Sequence, residues 1–271
     1  LCVAVQGVLM KKPSSDQKFQ SEYSKLAQVI HDTCKGKLVY FICNAGNWGD
    51  ALIRQGTLKF FRDIGLRFYE LLLPRGNFVK LGDRYLPLAI RGNLIFGGGG
   101  SWCNLWDRSI KLMNSVATSY KQVIVLPSTY ENRVDFSNII YFSRDRFESL
   151  QTVPEANFCH DMSFYLQWQT AGKGTGVGNF FRTDEESSGK ISIPPSNVDL
   201  SGQRNYLTSI APFFNAIDVF QTIHTDRLHV GIAACLLKKE LHLYPGAYFK
   251  NKAVFCSSMV GNFEQIHFHD L

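Results

Sequence analysis

The stretch Gly92–Pro127, GNLIFGGGGSWCNLWDRSIKLMNSVATSYKQVIVLP, decides the fold class. Gly92–Phe96 is a short apolar run of strand type, and four glycines and Ser101 follow it directly. Asp107–Tyr120 carries helical spacing, and Gln122–Leu126 is again a strand run, ended by Pro127. The same order of strand, loop, helix and strand recurs on both sides. Upstream, Ser21–Cys34 reads as a helix with Tyr23, Leu26, Ala27 and Ile30 on one face. Lys37–Cys43 is apolar throughout, as in a buried parallel strand. A turn-rich run, Asn44–Asp50, leads into a helix over Ala51–Ile64 and a strand over Arg67–Leu73. Downstream, Asn138–Phe142 is a strand, Ala171–Asn179 is a glycine-rich turn or hinge, and Ser187–Gln203 is a loop. Val219–Ile223, Leu228–Leu237 and Leu241–Tyr244 then alternate strand, helix and strand. This predicts a parallel α/β protein. Val3 and Val5 alternate with small or polar residues and suggest an opening strand.

The 271 residues allow one large domain or two small ones. With 45% hydrophobic and 19% charged residues the chain is neither disordered nor fibrous. A net charge of +6 suits an anionic small molecule, a polyanion or an acidic membrane surface. The basic residues are scattered, which disfavours nucleic acid. Seven dispersed cysteines without a C-x-x-C pair read as reduced core thiols. No window is long and apolar enough for a membrane span, and there is no N-x-S/T sequon.

Several motifs can carry chemistry. The backbone N–H groups of Gly97–Ser101 can cradle a phosphate or carboxylate, and an ordinary tight turn uses glycines too. Asp50 either caps the helix after it or orients a substrate hydroxyl at the carboxyl edge of the sheet. Arg144 can grip an anion as a planar fork or pair within the chain. Arg227 and His229 lie near a helix N-terminus, an anion site. His229 is the best general acid, because imidazole titrates near neutrality. Lys250 adds a positive charge that can face the same cleft. His224 and His242 read as core histidines satisfied by the backbone. A metal site is not expected: His267 and His269 lie at the far end of the sequence, and His224 and His229 are not at the helical pair spacing. The absence of D-x-D disfavours metal-dependent glycosyltransferases that use that motif. The absence of G-x-S-x-G and G-x-x-x-x-G-K-S/T disfavours α/β-hydrolases and P-loop enzymes.

Taken in order, Asn47-x-Gly-Asp50, Gly97–Trp102, Ser143-Arg-Asp145, His160-Asp161, Phe181-Arg-Thr-Asp184, Thr225-Asp-Arg-Leu-His229 and Tyr248-x-Lys-Asn251 form a series that resembles the polysaccharide pyruvyltransferase family. The resemblance runs from about Phe41 to about Asn251. It implies two Rossmann-like halves facing across a cleft, as in GT-B glycosyltransferases, with an abbreviated C-terminal half. The N-terminal, acceptor-side domain would span 1–170 and the C-terminal, phosphoenolpyruvate-side domain 171–271. The implied enzyme moves pyruvate from phosphoenolpyruvate onto two hydroxyls of a glycan or lipid-linked sugar as a ketal and releases phosphate, with no metal and no further cofactor. Arg144, Arg227, Leu228, His229, Lys250 and Asn251 would then bind phosphoenolpyruvate, with His229 as acid. Asp50, or Asp161 in second place, would deprotonate or orient the acceptor hydroxyl. Asn47, Gly98, Gly99, Ser101, Trp102 and Asp161 would form the glycine loop and acceptor side, and Trp48, Trp102 and Trp106 are candidates to stack on a sugar. The alternative is a metal-independent nucleotide-sugar glycosyltransferase of the same plan, and a non-catalytic glycan-binding protein is the third reading. The expected location is the cytoplasm, with peripheral association at the inner membrane face, and the Golgi lumen is the alternative.

Overall fold

The computed structural model describes residues 17–72, 80–81, 84–85 and 92–270. The opening strand expected at Val3 and Val5 lies outside them. The chain is a mixed α/β protein of the Rossmann-like kind, built on two parallel sheets.

Helix α1 (Gln20–Cys34) buries Tyr23, Leu26, Ala27, Ile30 and Cys34, the face its spacing predicts. Strand β1 (Val39–Ile42) leads through a short loop into α2 (Trp48–Asp63) and β2 (Tyr69–Glu70). A small antiparallel pair, β3 (Lys80–Leu81) and β4 (Arg84–Tyr85), precedes β5 (Asn93–Phe96) and β6 (Gly99–Trp102). After α3 (Arg108–Val116) come β7 (Val123–Tyr130), β8 (Ile139–Ser143), α4 (Glu148–Thr152) and β9 (Asn157–Phe158). These strands form one sheet in the order β2-β1-β5-β7-β8-β9, with β6 also on β7, and every pairing is parallel. Strand β7 does not stop at Pro127 as expected but continues to Tyr130. The register to β8 shifts between Val125 and Ser128, so the proline sits at an irregularity where its missing N–H is tolerated.

The second sheet holds β10 (Val177–Asn179), β11 (Thr222–Thr225), β12 (Glu240–Leu243) and β13 (Ile266–Phe268), in that order and all parallel. The glycine-rich stretch is thus a turn, with Gly174 and Gly176 at positive φ, that runs straight into β10. Helix α5 (Ala211–Asp218) precedes β11, α6 (Leu228–Leu236) follows it, and α7 (Lys250–Val254) continues into a π-helical turn, Phe255–Met259.

One large apolar cluster runs through both halves. Helix α6 is buried almost all round, because it packs on β11 and β12 and also on α2 and α5. Phe60, Phe61, Phe213 and Phe214 are fully buried in this cluster, and each contributes about 1.5–3 kcal/mol by leaving water. Phe19, Phe164 and Phe263 pack together, tying the start of α1 to a segment near the end of the chain. The six described cysteines, Cys34, Cys43, Cys103, Cys159, Cys235 and Cys256, are free.

Candidate functional site

In the first sheet the strand order reverses between β1 and β5: the chain passes from β1 out to β2 and returns on the other side. Open α/β sheets bind ligands at the carboxyl ends of strands beside such a reversal. The loops there are Asn44–Asn47 and Gly97–Gly98. Gly97 is a steric necessity, since a Cβ on it would lie 2.8 Å from the Cys43 Cα. Asn47 caps α2, its side chain accepting the Gly49 N–H at 2.8 Å. Asp50 returns the bond, its Oδ2 accepting the Asn47 N–H at 2.9 Å. The other carboxylate oxygen accepts from Asn44 Nδ2 at 2.7 Å, and the Ser101 hydroxyl donates to Asn44 Oδ1 at 3.1 Å. Asn44 therefore joins the two loops. Burial pushes the Asp50 carboxyl above its usual range.

The second sheet delivers cations from its own carboxyl ends. Arg182 follows β10, Arg227 follows β11, and Lys250 follows β12. The Thr225 hydroxyl donates to the Phe180 carbonyl at 2.7 Å and accepts the Arg227 N–H at 2.9 Å, which fixes the first two loops together. Asn251 Nδ2 donates to the carbonyls of Asp226 and Tyr244 at 2.7 and 2.9 Å and ties down the third. Each cation already meets a carboxylate. Arg182 pairs with Asp184 and Glu186, Arg227 with Asp199 and Asp184, and Lys250 with Glu186. Burial opposes the Glu186 charge, but Lys250 and Arg182 outweigh it and hold that carboxyl well below the carboxylate range.

Arg144 bridges towards this group from β8. It is fully buried, donates to Thr129 Oγ1 at 2.8 Å and pairs with Asp161 at 2.7 Å. Its Nη2 has no hydrogen-bond partner. His229, in the first turn of α6, reaches over Gly49, where a Cβ would lie 2.5 Å from its Nδ1. Its buried Nε2 is 3.7 Å from Asp161, beyond hydrogen-bond distance, and is also without a partner. A Cβ on Gly100 would stand 3.1 Å from the Tyr248 hydroxyl, 3.3 Å from Arg144 Nη2 and 3.6 Å from the Lys250 Cδ. The bare glycine leaves that space open.

These groups line a cleft of about 340 Å³, within the range of small-molecule sites. Of the residues expected from the sequence, Asn47, Asp50, Ser101, Arg144, Arg227, Leu228, His229 and Lys250 line it. Gly98, Gly99, Trp102, Asp161 and Asn251 are not among its lining. Gly98 is needed for packing, since a Cβ would meet the Pro127 carbonyl at 2.2 Å. Gly99, at φ 130°, backs the cleft beside Asp50. Trp102 is buried in the second apolar cluster, and Trp48 packs edge-on against Phe213, so Trp106 alone of the three tryptophans reaches the cleft. Asp161 is fully buried and is the counter-ion of Arg144. Burial works against its charge, yet His229 and Arg144 hold its carboxyl well below the usual range. His224 and His242 are also not core histidines. Both are half-buried and stack on each other. Arg182 and Asp184 stand in the motif series without a role read from the sequence, and Glu186 lies outside it. The run Phe181–Asp184 was the signal available, but nothing local shows that it faces Arg227.

No family model matches the chain, and no curated protein does.

A solved structure shares the fold. It is the crystal structure of an uncharacterized protein from Klebsiella pneumoniae subsp. pneumoniae, with a TM-score of 0.76 at 23% identity. The match covers 92% of this chain and 99% of the other. At that identity the likeness concerns the fold alone. Among the described residues no helix is long and apolar enough to cross a membrane.

Proposed function

We propose that the protein is a pyruvyltransferase that moves pyruvate from phosphoenolpyruvate onto two hydroxyls of a glycan or lipid-linked sugar. The observation that carries this reading is the pairing of buried donors without partners, Arg144 Nη2 and His229 Nε2, with the cations Arg182, Arg227 and Lys250 in one cleft. Phosphoenolpyruvate presents a carboxylate and a phosphate, and such a donor set matches both. In this reading the two parallel sheets are the two halves of a GT-B-like plan, the second abbreviated and starting near residue 171. The acceptor side is the Asn44–Asp50 loop. The enzyme would work in the cytoplasm at the inner membrane face.

His229 donates a proton to the methylene carbon of phosphoenolpyruvate, which becomes a methyl group. The central carbon becomes oxocarbenium-like, and a sugar hydroxyl adds to it. Asp50, made more basic by burial, takes the proton of the attacking hydroxyl. The C–O bond to phosphate then breaks, the second hydroxyl closes the ketal, and its proton leaves with inorganic phosphate. Arg227, Arg182 and Lys250 neutralise the departing phosphate.

The test is phosphate release from phosphoenolpyruvate with galactose-, glucose- and N-acetylmannosamine-terminated acceptors. Acceptor-dependent release is expected, and His229→Ala should lower it by about 10²–10⁴-fold while phosphoenolpyruvate still binds. Thermal stabilisation by a nucleotide sugar, and none by phosphoenolpyruvate, would overturn the proposal in favour of a glycosyltransferase.

A further inference from the structure

The second sheet carries a group of histidines away from the cleft. His224, His242 and His267 are register partners on β11, β12 and β13. Side chains alternate across a strand, so Glu240, His242 and Tyr244 share one side of β12 while Leu241 and Leu243 are buried on the other. His267 and His269 likewise share one side of β13. The rings of His224 and His242 stack at 4.3 Å, and those of His242 and His267 at 4.8 Å.

We infer that this side of the sheet holds a divalent transition-metal ion of the zinc, cobalt or nickel kind, bound by the Glu240 carboxylate and the Nε2 atoms of His242 and His267. The Glu240 Oε1 lies 3.4 Å from His242 Nε2 and 4.0 Å from His267 Nε2, and all three ligand atoms fall within 4.8 Å of one another. Ligands about 2.1 Å from a tetrahedral metal stand about 3.4 Å apart. One edge of the triangle already has that length. The His267 ring is half exposed, and by turning out of its stack on His242 it would aim its Nε2 at the ion and close the other two edges. His242 Nε2 already meets the Glu240 carboxylate at 3.4 Å, and a metal there would replace the shared proton and recruit His267 as third ligand. His269 adds the outer support that metal-bound imidazoles commonly have. Its Nε2 lies 2.9 Å from His242 Nδ1, so with the proton on that Nδ1 the His242 ring is held and the Nε2 that faces Glu240 offers its lone pair to the metal. Imidazole and carboxylate together suit zinc-like ions better than magnesium or calcium. Water completes the shell. The ion would cross-link edge strand β13 to β12. None of its ligands lines the cleft, so the inference is independent of the pyruvyl-transfer reading.

The test is titration of metal-free full-length protein with cobalt(II) and zinc(II), followed by calorimetry and by the visible cobalt spectrum. One ion per chain is expected at micromolar affinity, with a rise in Tm. His242→Ala and His267→Ala should each weaken binding by more than about tenfold. His224→Ala, which removes a ring outside the triad, should not. His267 is half exposed, so its variant keeps the fold, and circular dichroism verifies this. Binding absent up to about 1 mM metal, or unchanged in either the His242 or the His267 variant because the free cysteines take the ion, overturns the inference.

Discussion

His160 lies between Phe19 and Phe158, with Nδ1 2.8 Å from the Ser258 hydroxyl. Burial lowers its pKa to about 4, against the opposing pull of Glu22. The folded chain therefore keeps it neutral while the unfolded chain protonates it near 6.5. Its contribution is complete above pH 6.5 and is lost as the pH falls towards 4, a difference of about 3 kcal/mol at most. Asp226 acts in the opposite sense. Burial raises it to about 6, so its contribution is present at low pH and fades as the pH climbs through that value. Comparing urea unfolding of the wild type and His160→Gln from pH 7.5 to 4 separates the two. The variant should lose less stability on acidification, and parallel curves would acquit His160. Asp161→Asn should cost about 3–5 kcal/mol in the same assay, because it leaves Arg144 buried without its counter-ion. Single residues were the least legible level of the sequence. His229, Arg227 and Asp50 declared themselves through local chemistry and position. Arg182 and Glu186 did not, since their roles arise from strands far apart in the chain.

At the level of elements, α2 is positioned by what it lacks. A Cβ on Gly56 would lie 1.9 Å from the Met162 carbonyl, so the helix meets the 3₁₀ turn Met162–Tyr165 with no space between them. On an open helix Gly→Ala stabilises by up to about 1 kcal/mol. Here Gly56→Ala should instead destabilise by about 1–3 kcal/mol, because backbone must move. A urea midpoint that rises would contradict this. Elements were largely legible. Buried parallel strands are apolar throughout, so β1, β5, β7 and β8 stand out between glycine and polar loops. The helices α1, α2 and α6 follow from spacing or continuous hydrophobicity. Missed were features that depend on partners: β10 inside a glycine-rich turn, β7 running through its proline, and the histidines of the second sheet, whose register across three strands no local pattern reveals.

Across the whole molecule, the cleft draws its carboxylates and its cations from both sheets and holds them nearly neutralised. An anionic ligand must share Arg144, Arg182, Arg227 and Lys250 with a resident acid. On the proposed reading phosphoenolpyruvate should raise Tm, and by more than pyruvate, which lacks the phosphate. Glu186→Gln should lower the starting Tm, because Lys250 and Arg182 lose a buried partner. It should also tighten phosphoenolpyruvate binding several-fold, which calorimetry would report. An unchanged affinity would mean that neither cation meets the ligand. The sequence made the alternating plan readable at this scale but not the crowding of acids around the cations.

Strand pairing in both large sheets is parallel throughout, and this bears on how the chain reaches its fold. A parallel pair cannot close through a hairpin. Each must wait for a crossover to form, and the cost of closing those long loops comes before any ladder forms. Refolding should be slow, in the range of milliseconds to seconds or longer, and should populate compact intermediates.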